Sequence, residues 1–524
     1  MTNNQPGRLW VWAAVLLLLF LIVQELSFVW NNPWLGDYWE HRAVLKALSA
    51  HTPQVMHPII GTNLPHAFES PYLVMLGWIV FKTGLSAEAA LNLAAIINLF
   101  LFFGAVWMLV QLFLPRKPIW TSYTLVLLLL LCGWGYMPPS FSAFYHLGTF
   151  PFVMGYPSTF SFICVVFAAW LLQRLLNQKQ APLAKLISSV SILFFFWISI
   201  LSHPLSFLFG VALTIYVALD TQKILFSKSL LTRLLITGAF LIISFGFAFF
   251  WPYYSLADLF SYISPGNQFH SDSRELYSSL LRHLYPLLLV PVLFFLNTKE
   301  NWRNNLALII AGSFLFLLFV YGFLSHEYGY GRMISFLAIL AQLLLAKLLL
   351  ELPSGKLRSA VALVLLIACL PFLRHVLTYN LSVMNTSREE YINKPVHVPF
   401  EHTNPSEMAH RLRFLENHFQ PGDLVLADTL SSKYLPGLGT HVIGSVFPAY
   451  WITDNTERMN AMRRFFTTKA TAEERTTIIN HYRPNYLLLT PATDSLLPLL
   501  TAYIDSQPFV SEKGISLYKI RINR

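Results

Sequence analysis

Uninterrupted apolar runs recur along the chain from Leu9 to Leu377, and several reach the roughly 20 residues that a helix needs to cross hydrocarbon. Eleven of them read as spans, at 9–30, 87–114, 119–135, 158–173, 187–201, 205–220, 234–253, 284–297, 306–325, 333–350 and 359–377. An odd number puts the two termini on opposite sides. The run Leu73–Phe81 is too short to cross and reads as an interfacial helix within the first long loop. The run Leu9–Trp30 is longer than a typical signal peptide and shows no small-residue cleavage site, so it reads as a retained first span. Beyond about Tyr379 the pattern changes. Glu407–Phe419, Glu457–Phe466, Ala472–His481 and Leu496–Ile504 have helical spacing, while Asp423–Ala427, His441–Val446, Tyr486–Thr490 and Ile515–Ile520 read as strands. The expected architecture is a polytopic α-helical membrane domain, 1–378, with a first outer loop at 31–86. A small extracytoplasmic α/β domain, 379–524, follows it.

Charge orients this threading. One set of connectors (1–8, 115–118, 174–186, 221–233, 298–305, 351–358) holds 13 Lys and Arg in 54 residues. The other set (31–86, 136–157, 202–204, 257–283, 326–332) holds 6 in 115 residues, beside seven Asp and Glu. The positive-inside rule places the first set, with the N-terminus, in the cytoplasm, and the long loops and tail outside. Composition agrees: 55% hydrophobic, 12% charged and a mean hydropathy of +0.53 over 524 residues are far from a soluble protein. The formal charge of +10 does not point to nucleic acid, because much of it sits in the short connectors. Cys132, Cys164 and Cys369 lie inside apolar runs and read as small buried hydrophobes. No Asp, Glu, Lys or Arg occupies a mid-span position, which counts against an ion-coupled pump or symporter. The tail has no Gly-rich phosphate loop, which argues against a nucleotide site.

The residues with chemical potential collect in the outer loops. The first loop runs Gly36-Asp37-Tyr38-Trp39-Glu40-His41-Arg42, then His57-Pro58, then Pro65-His66 and Glu69-Ser70-Pro71-Tyr72. Asp37 to Ala50 has helical spacing, so Asp37, Glu40 and His41 share a face. Such a set could take a proton from a hydroxyl or hold a divalent cation, Mg or Mn, through Asp37, Glu40 or His41. Asp37 with Glu40 three residues on also matches a helix N-cap, and the two roles can coexist. His57 and His66 adjoin prolines and read equally as ordinary loop residues. The second cluster is Ser325-His326-Glu327-Tyr328-Gly329-Tyr330-Gly331-Arg332, between two spans. A guanidinium at the start of an apolar helix suits a phosphate, and equally a snorkelling contact with generic lipid. His203, in the turn Ser202-His203-Pro204, faces the same side; its plain reading is a proline-stabilised corner. The uncharged loop Tyr136–Pro157 could rim a sugar or lipid site or form an interfacial aromatic belt.

This order of features resembles the GT-C superfamily of integral membrane glycosyltransferases, which includes protein O-mannosyltransferases and aminoarabinose transferases. The likeness rests on a first span followed by a long outer loop opening on an acidic motif, Gly36-Asp37-Tyr38-Trp39-Glu40-His41. A His/Pro-rich segment through His57-Pro58 into Ser70-Pro71-Tyr72 and a soluble tail complete it. The paired D-x-D or E-x-D form is absent, since the second acid is Glu40. The resemblance implies a polyprenyl-phosphate sugar donor and a glycan, lipid or protein acceptor. Asp37 would be general base, with Glu40, His41, His57 and His66 near the acceptor or a metal, and Arg332, His326, Glu327 and His203 near the donor phosphate. It also implies a place in a prokaryotic plasma membrane. A flippase or transporter of a lipid-linked substrate, and a non-catalytic membrane scaffold, are the alternatives from other classes.

Overall fold

The computed structural model describes residues 5–31, 37–50, 56–136, 138–139, 141–219, 228–262, 273–296, 301–352, 354–385, 408, 411–447 and 450–521. These form two compact units. One comprises Met1–Trp30, Leu93–Trp251 and Ser255–Asn385; the other comprises Asn31–Asn92, Pro252–Tyr254 and Thr386–Arg524.

The first unit is all helical. Among the described residues, eight helices are long and apolar enough to cross a bilayer: Arg8–Trp30, Ala87–Phe113, Pro157–Asn177, Pro182–Ser202, Ser229–Ala248, Asn305–Leu324, Tyr328–Glu351 and Gly355–Thr378. The remaining expected spans fall on shorter apolar helices, Ile119–Cys132, Pro204–Leu219 and Leu280–Phe295. Proline sets several starts. Pro157, Pro182 and Pro204 each open a helix, where a missing N–H costs nothing. The helix Tyr328–Glu351 is the hub: 78% of its most apolar window is buried, against 22% for Arg8–Trp30 and Gly355–Thr378. Phe209 stacks between Phe162 and Phe336, with ring centroids 5.6 and 4.9 Å away, and so joins three helices. Gly210 permits this approach, because a Cβ there would lie 2.8 Å from Val165. At the Lys/Arg-rich end, buried Arg233 donates to the carbonyls of Ala218 and Val217 (3.1 and 2.9 Å) and to Asn177 (2.8 Å). It thereby satisfies the last carbonyls of the helix Pro204–Leu219.

The second unit joins the first loop to the tail. Its five-stranded sheet has the order β2-β1-β3-β5-β4, built from β1 (Leu424–Leu426), β2 (His441–Val442), β3 (Tyr486–Leu489), β4 (Val510–Glu512) and β5 (Ile515–Lys519). β1 pairs parallel with β2 and β3, and β5 pairs antiparallel with β3 and β4. Side chains alternate between two cores. Leu426, Leu487, Leu489 and Tyr518 pack with the helices Asn455–Phe465 and Ala472–Tyr482. Val425, Val442, Leu488 and Leu517 share the other core with Trp39, Ile59 and Ile60 from the first loop. Gly437 makes room for the Trp39 indole, since a Cβ there would lie 2.7 Å from its ring. The Val442 N–H donates to the Ile59 carbonyl at 2.8 Å, covering the β2 edge.

The first-loop helix Tyr38–Ser49 is clamped to the tail by charge. Glu416 accepts from Arg42 at 2.7 Å and from Lys46 at 2.6 Å. Burial pushes the Glu416 carboxyl up, but the two cations outweigh it and hold it below its ordinary value. Arg42 is 2% exposed, so Glu416→Ala takes a close counter-charge from a buried cation. The expected loss is about 3 kcal/mol of second-unit stability, read by chemical unfolding, with Glu416→Asp recovering part of it.

The short run at 73–81 is a helix, Pro71–Thr83, started by Ser70 and ended by Gly84 in the left-handed region at φ 71°. Leu73, Leu76, Gly77 and Val80 face inward, with Gly77 against Leu48, while Met75, Trp78 and Phe81 are exposed. That two-sidedness is what an interfacial helix requires.

Candidate active site

In the second unit Asp37 occupies the N-cap position of Tyr38–Ser49, and its carbonyl accepts from the His41 N–H at 3.0 Å. Its carboxylate makes no capping hydrogen bond. The side chain is therefore positioned by the helix start without being occupied by it. Glu40 and His41 follow on the same face and are both 3% exposed. Glu40 is turned to His66, with Oε1 3.2 Å from Nε2. Burial, and secondarily the Asp37 charge, push the Glu40 carboxyl well above its ordinary range, against a smaller opposing pull from Lys433. Glu40 therefore favours its protonated form.

The histidines around them have fixed tautomers. His57 Nδ1 accepts from the N–H groups of Ile59 and Ile60, each at 3.3 Å, and His66 Nδ1 accepts from the Phe68 N–H at 3.2 Å. Both rings therefore carry their proton on Nε2. The His57 and His66 rings meet edge-on at 4.8 Å, and His41 lies 4.9 Å from Phe68. Burial lowers His57 to about 3 and His41 to about 4; burial, then the neighbouring His57 and His41, lower His66 well below its usual value. Glu69, which accepts from the His66 N–H at 3.3 Å, is raised by burial to about 8. Among the described residues no three His, Cys, Asp or Glu side chains converge to hold a metal ion. Two of the imidazoles use Nδ1 on backbone, and Glu40 is directed at His66. This donor set does not fit a cation, and no step below passes through one.

These shifts make the unit's stability depend on pH in two opposite ways. The histidines are neutral when folded but charge near 6.5 when unfolded, so their contribution is full above 6.5 and is lost as pH falls toward 3. Glu69 favours the protonated form when folded, so its contribution is full below 4.5 and is lost as pH rises through about 8. Glu69→Gln should flatten the alkaline limb and leave the acid limb unchanged. Thermal unfolding from pH 4 to 9 measures both, and parallel curves for the two proteins would contradict the assignment.

In the first unit, Tyr328–Arg332 forms a short 3₁₀ turn ahead of the helix Met333–Glu351. Arg332 is 9% exposed; its Nη1 donates to Ser142 Oγ at 3.3 Å, and its guanidinium lies 5.1 Å over the Phe141 ring. His203 Nδ1 accepts from the Ser206 N–H at 3.2 Å. Desolvation, then the Arg332 charge, hold His203 at about 3, so these two predicted residues lie within electrostatic reach of each other. His326 is exposed, takes a positive φ of 62°, and is bonded through Nδ1 to the Tyr328 hydroxyl at 2.9 Å. Glu327 is partly exposed. Gly331 and Gly322 both make room for Tyr277: a Cβ at either would lie within 2.9 Å of its side chain.

Sequence reasoning did not foresee Glu69, Lys433, Ser142 and Phe141 at these sites. Glu69 had a signal, since it stands three residues after His66 and just before the helix start at Ser70. Phe141 and Ser142 belong to the loop Tyr136–Pro157, read as a possible rim of a sugar or lipid site without singling them out, and Lys433 is brought in by tertiary packing alone.

These features define a polytopic helical membrane protein with a C-terminal α/β domain. No family model and no curated protein matches the chain. Among solved structures it is similar to ArnT from Cupriavidus metallidurans bound to undecaprenyl phosphate. That likeness has 13% identity and a TM-score of 0.52, over 96% of this chain and 97% of that one. The same protein in the apo state gives 13% identity and a TM-score of 0.53, over 96% and 98%.

Proposed function

We propose that the chain is a membrane glycosyltransferase that moves a sugar from a polyprenyl-phosphate donor to an acceptor hydroxyl on a glycan, lipid or protein. The observation that carries this reading is the end-to-end fold likeness to a protein solved with undecaprenyl phosphate. Asp37 supplies the chemistry, as a carboxylate at a helix start that makes no capping bond and lies beside a protonated Glu40. The carboxylate accepts the acceptor's hydroxyl proton as that oxygen attacks the anomeric carbon. The bond from that carbon to the phosphate oxygen breaks, and polyprenyl phosphate leaves with the electron pair. Arg332 stabilises the charge growing on the phosphate, with His203 and His326 nearby in sequence or space and Glu327 at the same loop. A single displacement inverts the anomeric centre. The Lys/Arg-rich connectors support a cytoplasmic N-terminus and an extracytoplasmic C-terminal domain, and the reading includes a prokaryotic plasma membrane.

The test is direct. Purified protein in detergent, with no gradient, is given undecaprenyl-phosphoryl sugars and candidate acceptors. Mass spectrometry should find glycosylated acceptor and free undecaprenyl phosphate in equal amounts. Movement of sugar-lipid across vesicles without any glycosylated product would instead favour a flippase.

A further inference from the structure

The first span holds polar groups that the proposed chemistry leaves unused. Across Arg8–Trp30 the buried residues are Ala14, Leu21, Gln24 and Glu25, while the rest of the helix is half-buried or exposed. Two of the four inward positions on a largely lipid-facing helix are thus polar. Gln24 and Glu25 are each 1% exposed. Both polar atoms of each side chain lack a hydrogen-bond partner among the described residues. A buried polar group without a partner costs several kcal/mol in a membrane interior, and an ionisable one there marks function more often than packing.

Their surroundings narrow the role. Leu21, Gln24, Glu25 and Phe28 share one helix face. Phe28 meets Phe152 with ring centroids 4.5 Å apart. Phe152 belongs to the short helix Phe150–Val153 within the uncharged, aromatic-rich loop ahead of Pro157. The polar pair therefore lies about one helical turn, roughly 5 Å, from that loop. An amide offers two donors and an acceptor, and a carboxyl group supplies acceptors and, when protonated, a donor. Adjacent hydroxyls, each donor and acceptor, match that inventory. A phosphate does not, since a carboxyl beside it adds acceptors where donors are needed.

We propose that Gln24 and Glu25 form a subsite in the first span that hydrogen-bonds the hydroxyl groups of a lipid-borne sugar. The proposal rests on the reading of the chain as a lipid-linked sugar transferase and deepens it by assigning sugar recognition to residues other than Asp37 and Arg332.

The experiment compares full-length protein with the double variant Gln24→Leu, Glu25→Leu and with Glu25→Gln. The probes are undecaprenyl phosphate and undecaprenyl-phosphoryl glucose, mannose and arabinose, and binding is read by native mass spectrometry. The wild type should bind at least one sugar-bearing lipid about 10-fold more tightly than the bare lipid phosphate. The double variant should lose that preference while binding bare lipid within about twofold of wild type, and Glu25→Gln should retain most of it. Absence of any preference in the wild type, or equal loss for bare and sugar-bearing lipid, overturns the subsite. Failure of the wild type to bind any of these lipids sinks the transferase reading itself. A ligand-free measurement then decides the subsite separately. Replacing groups kept unsatisfied for a ligand should raise Tm by about 2 °C or more. A lowered Tm would show that the pair serves the fold, and the proposal would be wrong.

Discussion

Asp37→Asn is expected to abolish transfer, lowering kcat by about 10³-fold, while unfolding stability changes by less than about 0.5 kcal/mol. Both halves follow from the geometry. Asparagine has the same shape and is an equally good N-cap residue, and the carboxylate makes no capping hydrogen bond that could be lost. What disappears is the only property the mechanism asks of it, the capacity to take a proton as the hydroxyl attacks. Glu40→Gln makes the contrast. Burial and the Asp37 charge already keep Glu40 protonated, so an amide there imitates the working state, and the expected loss is within about tenfold. The comparison uses initial rates with sugar-lipid donor and acceptor, alongside thermal unfolding. Full activity in Asp37→Asn would remove that residue from the mechanism, and a fall in Glu40→Gln as deep as in Asp37→Asn would make Glu40 the base.

How much of this was legible in the sequence depends on the range of the interaction. The helices were, because an apolar run long enough to cross hydrocarbon has few alternatives. Three expected spans are short helices; Pro118 and Pro204 stand at the starts of two of them, and Pro286 lies within the third. The parallel core strands were legible through their apolar runs, such as Tyr486–Leu489. The edge strand Val510–Glu512 was not, since two of its three residues are exposed. The expected helix Leu496–Ile504 is reduced to Leu497–Leu500, and Ile504 instead bridges to Ile520 beside the sheet.

The candidate site divides along the same line. Asp37, Glu40 and His41 share a helix face, which spacing alone could foresee. Glu40 meeting His66, or Arg42 meeting Glu416, depends on segments far apart in the chain, and no local pattern encodes it. The histidines show the difference most clearly. A loop histidine beside proline suggested either a ligand or a surface residue. His57 and His66 are instead buried side chains whose Nδ1 atoms anchor the backbone just after them, leaving the Nε2 protons directed elsewhere. Gln24 and Glu25 escaped notice because two polar residues in a long apolar run do not disturb its hydropathy.

Arg332→Ala should raise the Kd for the polyprenyl-phosphate donor by about 10- to 100-fold, with the acceptor's KM changed by less than about threefold. The asymmetry is the content of the prediction. The guanidinium is nearly buried, rests over the Phe141 ring, and donates to Ser142 Oγ at 3.3 Å. Removing it costs some packing whatever it binds, so a loss of stability alone distinguishes nothing. A phosphate ligand distinguishes by geometry. Arg332→Lys keeps the charge but loses the planar fork, so donor affinity should fall between that of wild type and Arg332→Ala. The neighbouring imidazole gives a second readout. The Arg332 charge is one of two causes holding His203 down at about 3. Its removal should therefore move His203 upward toward its ordinary value, and bound anionic donor should move it further in the same direction. NMR of labelled histidine in the solubilised protein would follow both steps. If donor and acceptor constants change equally and His203 does not respond to donor, Arg332 is a packing residue and the phosphate must be held elsewhere.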